Sequence, residues 1–312
     1  MKKYLIISGF GWSGSGLLID VLTSTNCWEK FPVEFRLFKD KGGVVDLMNS
    51  AKDLSRPFNY SIDLENFEKL SKVLGRSNGM RFGMNYNKLT NGRFSTAVNL
   101  FIGNLKKNYF YSDAFVFQYQ NSFLCDLRWK ILRKLGIRNR FKRKYLPSPI
   151  LEIKRELFLF FDNLFSNYEK RIILDQAVDP GDECTIMELS ERFVMISVDR
   201  DPRDIYVDYV NSKDVLFNVD SFIELFKITR NGLTFVNANI LRTRFEILIN
   251  NMDEELDRIC SFLDIHDDHI KNLLKKYDFS QSKANIGIYN NFHDQKAIKK
   301  IEIELSEYCF EP

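Results

Sequence analysis

The stretch that most constrains what this chain can fold into is YLIISGFGWSGSGLLIDVL, residues 4–22. Tyr4 to Ser8 is a short apolar, β-branched run with room for one buried strand. Gly9, Gly11, Gly14 and Gly16 then break it, and Leu17 to Leu22 resumes with apolar residues at helical spacing. Strand, glycine turn and helix together aim backbone N–H groups at an anion, with the helix dipole behind them. Ser13 and Ser15 add hydroxyl donors to the same oxygens. The spacing Gly9-x4-Gly14 nearly matches a nucleotide P-loop, but Ser15 and Gly16 stand where that motif needs Lys and Ser/Thr. The stretch therefore reads as a loop that cradles phosphate or sulfate without a magnesium nucleotide. A Gly/Ser turn of purely structural use would share the pattern.

A strand of this kind needs neighbours, and 312 residues supply them: one large α/β domain, or one domain with a sizeable insertion. Pro is scarce at 7 and Phe abundant at 28, which argues against long disordered linkers. A net charge of +3 does not by itself imply nucleic acid. Cys27, Cys125, Cys184, Cys260 and Cys309 have neither metal-ligand nor redox spacing, so they read as reduced thiols of a cytoplasmic protein. No run approaches the roughly eighteen apolar residues of a membrane span.

Along the chain, Pro32 to Phe38 has strand-like composition, and Gly42-Gly43 marks a turn before a helix from Val44. If 32–38 follows the glycine loop in the sheet, Glu34 and Arg36 share a face beside the anion loop, where open α/β sheets bind ligands. An ordinary solvated ion pair gives the same pattern. Residues 51–170 are mostly helical, with amphipathic stretches at Leu64–Leu74 and Ile150–Phe165. Arg128 to Lys144 holds nine Lys or Arg and no acid, with aromatics and aliphatics interleaved. That composition suits a nucleic acid, an anionic membrane, an acidic acceptor, or simply a solvated face.

RIILDQAVDP (171–180) and FVMISV (193–198) read as further core strands. Arg200 ends the second, Pro202 stops it, and Arg203–Tyr209 begins a helix. An arginine at a strand end beside a helix N-terminus suits phosphate, because its planar fork donates two bonds. Arg203 and Asp204 read as mainly structural. Asp208, eight residues on, faces back toward the same pocket. Residues 220–230 read as an amphipathic helix, 240–248 as a strand passing into a charged turn, and 253–263 as another helix. His266 and His269 have metal-like spacing, but a loop with Asp264, Asp267 and Asp268 explains it as well, and no metal is assigned. A polar loop around Gly287 precedes a last helix.

Four of these places, in this order, resemble sulfotransferases that use 3′-phosphoadenylyl sulfate (PAPS), in the style of bacterial carbohydrate sulfotransferases. GFGWSGSGLLIDVL resembles the loop for the 5′-phosphosulfate, and SVDRDPRDIYVDYV the strand, arginine and helix for the 3′-phosphate. LRTRFEILINNMDEELDRICSFLDI is similar to the family's Arg-aromatic-Glu turn and helix, and ANIGIYNNF to the C-terminal loop that closes over the cofactor. Together they cover most of 1–48 and 170–312. Two positions depart from the family: Trp12 replaces the Lys or Arg before the Ser-Gly of the first loop, and Asp208 replaces a Ser in the second motif.

The resemblance implies a P-loop-type three-layer α/β sandwich with a central, mainly parallel sheet. It implies a single domain over 1–312, with a largely helical, acceptor-binding insertion at about 51–170. It implies a cytoplasmic transferase moving a sulfuryl group from PAPS, without a metal, to a hydroxyl of a saccharide or glycolipid. PAPS would be held by Gly11, Trp12, Ser13, Gly14, Ser15, Gly16 and Leu17 at one end, and by Arg200, Asp208, Lys283 and Gly287 at the other. Glu34 would be the general base, and Arg36 or Lys39 the cation that Trp12 does not supply. Peripheral membrane contact through 128–144 is a further expectation, with no nucleic acid as partner. A catalytically degenerate module of the same fold, holding an anionic glycan or membrane surface, is the alternative.

Overall fold

The structure is a computed structural model that describes residues 4–112, 123–136, 142–212, 218–230, 237–266, 268, 271–272 and 276–311. Its strands are β1 (Tyr4–Gly9), β2 (Trp28–Lys30), β3 (Tyr109–Ser112), β4 (Lys142–Tyr145), β5 (Arg171–Asp175), β6 (Phe193–Asp199) and β7 (Ile240–Arg244). The chain forms two compact units, one of Met1–Arg36 with Tyr168–Pro312, the other of Leu37–Asn167.

The first unit carries a five-stranded sheet in the order β2-β5-β1-β6-β7, with every pairing parallel. Helices flank it in the three-layer α/β arrangement. Both faces of a parallel sheet are covered, which is why β1 and β6 are continuous apolar runs rather than alternating ones. All six residues of β1 are buried. On one face Leu5, Ile7, Ile173 and Ile196 meet Leu18 and Leu22 of the Ser15–Ser24 helix and Ile259 of the Met252–Phe262 helix. Trimming the fully buried Leu18 to Ala would cost about 2–5 kcal/mol. A second cluster joins the helices Pro202–Ser212, Val219–Arg230 and Gln295–Glu304 through Tyr206, Phe222, Phe226 and Ile301.

One expectation is corrected. Pro32–Phe38 is not a strand; the strand after the glycine loop is the three-residue β2, at the sheet edge. Pro32 has no N–H to give a ladder. The segment leaves the sheet after Phe31 N–H donates to Ile173 O at 2.9 Å. Its aromatic residues are buried as irregular chain: Phe31 and Phe35 stack edge-to-face at 5.4 Å.

The second unit is built on the helices Val44–Lys52, Pro57–Gly75, Arg93–Leu105 and Ile150–Leu164. Phe67, Phe94, Phe101 and Phe160 form its aromatic core. An antiparallel β3–β4 pair interrupts the helical pattern. Lys144, counted above in the basic run, is buried and paired with Glu65 at 2.6 Å. Among the described residues no helix is long and apolar enough to cross a membrane.

Candidate functional site

The site grows from the end of β1. Gly9 sits so close to the returning chain that a Cβ there would lie 2.3 Å from Ser13 Oγ and 2.8 Å from Val198 O. Ser13 N–H donates to Phe10 O at 3.0 Å, closing the turn. Gly14 caps the first helix in the left-handed region, φ +78, and a Cβ on it would collide with the Phe245 ring at 2.3 Å. Ser15 and Gly16 open that ten-residue helix, where N–H groups have no intrahelical partner and the dipole favours negative charge. Leu17 N–H is turned inward, donating to Gly14 O at 3.1 Å, and the Leu17 side chain joins the core. Ser15 Oγ accepts from Gln176 Nε2 at 2.9 Å, which leaves its own proton available. Ser13 Oγ is buried without any hydrogen-bond partner. A buried hydroxyl in that condition costs about 1–3 kcal/mol unless something accepts from it.

Trp12 also has positive φ, 61°. Its ring lies 4.0 Å from that of Tyr209, so Trp12 anchors the loop to the Pro202–Ser212 helix. Its carbonyl is the loop's link to Arg200. That guanidinium, 3 % exposed, donates through Nη1 to Trp12 O at 3.1 Å and to Asp208 Oδ2 at 2.6 Å. Through Nη2 it donates to Asn285 O at 2.6 Å, while the buried Nε has no partner. Arg200 thus brings together the glycine loop, Asp208 and the C-terminal segment by direct hydrogen bonds, whereas the resemblance sets the loop and Arg200 at opposite ends of one cofactor.

Gly287 and Tyr289 donate their N–H groups to Asp204 at 2.9 and 3.2 Å. Burial pushes the Asp204 carboxyl up to about 6, against the pull of those donors and of Arg200. Gly287 therefore helps to fasten the C-terminal loop, and Lys283 lies exposed just before it. Asp201 takes a bidentate bond from Arg203 at 3.0 and 2.7 Å and accepts from Phe310 N. Glu246 accepts from Asp201 N at 2.7 Å, so the Arg-aromatic-Glu turn braces the end of β6. Beside Arg200 a polar cleft of about 430 Å³ is lined by Asp208, Asn211, Asn285, Asn291 and His293 among others.

Glu34 and Arg36 form an ion pair at 3.1 Å, with side chains 45 and 37 % exposed. Phe35 N–H donates to Asp175 O at 2.9 Å, which holds this turn at the end of β5. Gln176 comes next, its N–H on Ile7 O and its side chain on Ser15. The Glu34–Arg36 turn is therefore tied to the strand end whose next residue touches the glycine loop. Lys39 belongs to the other unit.

Three residues escaped the sequence reading. Gln176 sits at φ 50, a conformation that no local pattern announces. Asp199, half-buried, and the buried Arg230 form a bidentate pair at 2.6 and 3.1 Å. The Arg230 guanidinium lies 3.5 Å over the Phe10 ring and 3.3 Å over that of Phe226, and burial lowers its pKa. Its signal was available: Phe222, Phe226 and Arg230, four apart, lie on one face of their helix. These residues line a cavity of about 410 Å³ with Gly9, Phe10, Gly11 and Tyr209. Its wall is mainly aromatic and aliphatic. His266 makes an exposed contact with Asp264 at 2.8 Å, and His269 lies outside the described residues.

No protein-family model matches the chain, and no curated protein matches it. Among solved structures, the sulfotransferase domain of the Synechococcus PCC 7002 olefin synthase is 14% identical, with a TM-score of 0.44 over 99% of this chain and 95% of that one. A Mycobacterium avium sulfotransferase is 9% identical, with a TM-score of 0.42 over 98% of this chain and 76% of its own. A retinol dehydratase in complex with androsterone and the inactive cofactor PAP is 13% identical, with a TM-score of 0.38 over 97% of this chain and 80% of its own.

Proposed function

We propose that the chain transfers a sulfuryl group from PAPS to an acceptor hydroxyl. One observation carries the reading: Ser13 Oγ and Arg200 Nε are both buried and unpartnered, on groups that the Arg200–Trp12 bond joins directly. Two orphaned donors beside a helix N-terminus fit an anionic ligand with a group at each end. The Ser15 and Gly16 N–H groups, with the Ser13 and Ser15 hydroxyls, would steady the charge that grows on the leaving phosphate. Positioning and electrostatics of this kind supply most of the rate in group transfers. Glu34, paired with Arg36, would take the acceptor proton as the new S–O bond forms and the bond to the leaving phosphate breaks.

The cavity beside Gly9–Gly11 would admit the acceptor. Its apolar lining favours a glycolipid, whose hydrocarbon part it can cover, over a free saccharide. Calorimetric titration with adenosine 3′,5′-bisphosphate tests the reading. Heat should appear for the wild type, weaken about 10- to 100-fold in S13A, and be absent with magnesium-ATP; no heat with the bisphosphate overturns it. One observation favours the degenerate alternative: both Nη atoms of Arg200 already donate to protein acceptors, which leaves Nε–H and one Nη2–H for a ligand. Bisphosphate binding without transfer of labelled sulfate would select it.

A further inference from the structure

We propose that the Phe123–Lys134 helix of the second unit docks the protein on an anionic lipid surface. Leu127, Ile131 and Leu135 are 43, 52 and 70% exposed. They lie four residues apart, so they form one stripe along the helix and its C-terminal end. Arg128, Lys130 and Lys134 are also exposed and, by helical spacing, flank that stripe. In sequence the helix carries a single acid, Asp126, and none follows as far as Lys144.

A helix that shows water its aliphatic stripe beneath a cationic rim has the layout of an interfacial helix. The aliphatics enter the acyl boundary, and the long cationic side chains reach to phosphate head groups. The aliphatic stripe decides between polyanions. A nucleic acid or sulfated glycan would reward the cations and gain nothing from Leu127, Ile131 or Leu135, whereas a bilayer rewards both. The β3–β4 pair of the same unit likewise exposes Tyr109 and Tyr111, with the Arg143 guanidinium 4.2 Å over Tyr109. Exposed tyrosines beside cations are the usual residues of a membrane–water interface. Lys144 takes no part, being buried against Glu65.

The test is sedimentation of the full chain with vesicles of phosphatidylcholine alone or mixed with phosphatidylserine. Binding should require phosphatidylserine and fall with salt. R128E/K130E/K134E should lower the partition coefficient by well over a hundredfold, since each cation near such a surface contributes roughly fivefold. L127S/I131S/L135S keeps every charge and should also release the protein, while both exposed-site variants keep the wild-type circular dichroism and melting temperature. Failure to sediment with any vesicle overturns the proposal. So does undiminished binding by the serine variant, and so does capture by heparin or duplex DNA with none by vesicles. Bisphosphate binding is read separately, so failure here leaves the transferase reading standing.

Discussion

Replacing Asp208 by Asn tests the electrostatics of the Arg200 end most directly. Asp208 Oδ2 lies 2.6 Å from Arg200 Nη1, and the carboxylate is 32% exposed. A phosphate oxygen gripping the remaining edge of the same guanidinium would sit about 5 Å from that carboxylate. At an effective dielectric of about 20, two unit charges at that distance repel by roughly 3 kcal/mol. Solvent reaching Asp208 reduces this to about 2 kcal/mol, equivalent to a factor of about 30 in affinity. Asn keeps the shape and an acceptor for Nη1 but removes the charge. D208N should therefore bind adenosine 3′,5′-bisphosphate about 10- to 30-fold more tightly in low-salt calorimetry, with the gain shrinking as salt screens the pair. Unchanged or weaker binding would refute the argument: Asp208 would then orient Arg200 rather than compete for it.

Other outcomes follow from the same geometry. E34Q should lower sulfate transfer by about 10²- to 10⁴-fold with bisphosphate affinity kept, and equal loss of both in the same assays would make Glu34 structural. G14A forces a side chain into a left-handed position against the Phe245 ring, so chemical denaturation should report a loss of about 2–5 kcal/mol. Asp204 is protonated more readily in the folded chain, at about 6, than at its ordinary 3.8. Stability should accordingly fall as pH rises from about 4 to about 6, by up to about 3 kcal/mol from this group. D204N, compared with wild type by urea titration across that range, should lack that component.

The parts of the fold legible in the sequence were those whose burial is written as continuous runs. Tyr4–Ser8 and Phe193–Val198 could only be strands covered on both sides, and the glycines after the first forced a turn into a helix. Arg200 was legible for the same reason, since it sits where the second run stops. Pro32–Phe38 misled because a buried irregular segment needs the same aromatic and aliphatic residues as a strand. The β3–β4 pair was invisible: KRKY carries no apolar alternation, and its partner lies some thirty residues earlier, beyond the reach of local pattern. Trp12 faces Tyr209, and Gln176 touches Ser15, across long stretches of chain. Such pairings are decided by the assembled sheet, and one-dimensional spacing does not carry them.

The strand order has a consequence for biosynthesis. β1 occupies the middle of the sheet, yet both neighbours that cover its edges, β5 and β6, are encoded more than 160 residues later, after the whole second unit. At ordinary translation speeds the ribosome needs roughly ten to thirty seconds to make that gap good. Throughout it, an aliphatic segment with two open hydrogen-bonding edges is outside the exit tunnel with nothing of its own to join. Synthesis of this protein should lean on holdase chaperones, and slowing translation through residues 37–167 should raise the insoluble fraction rather than lower it.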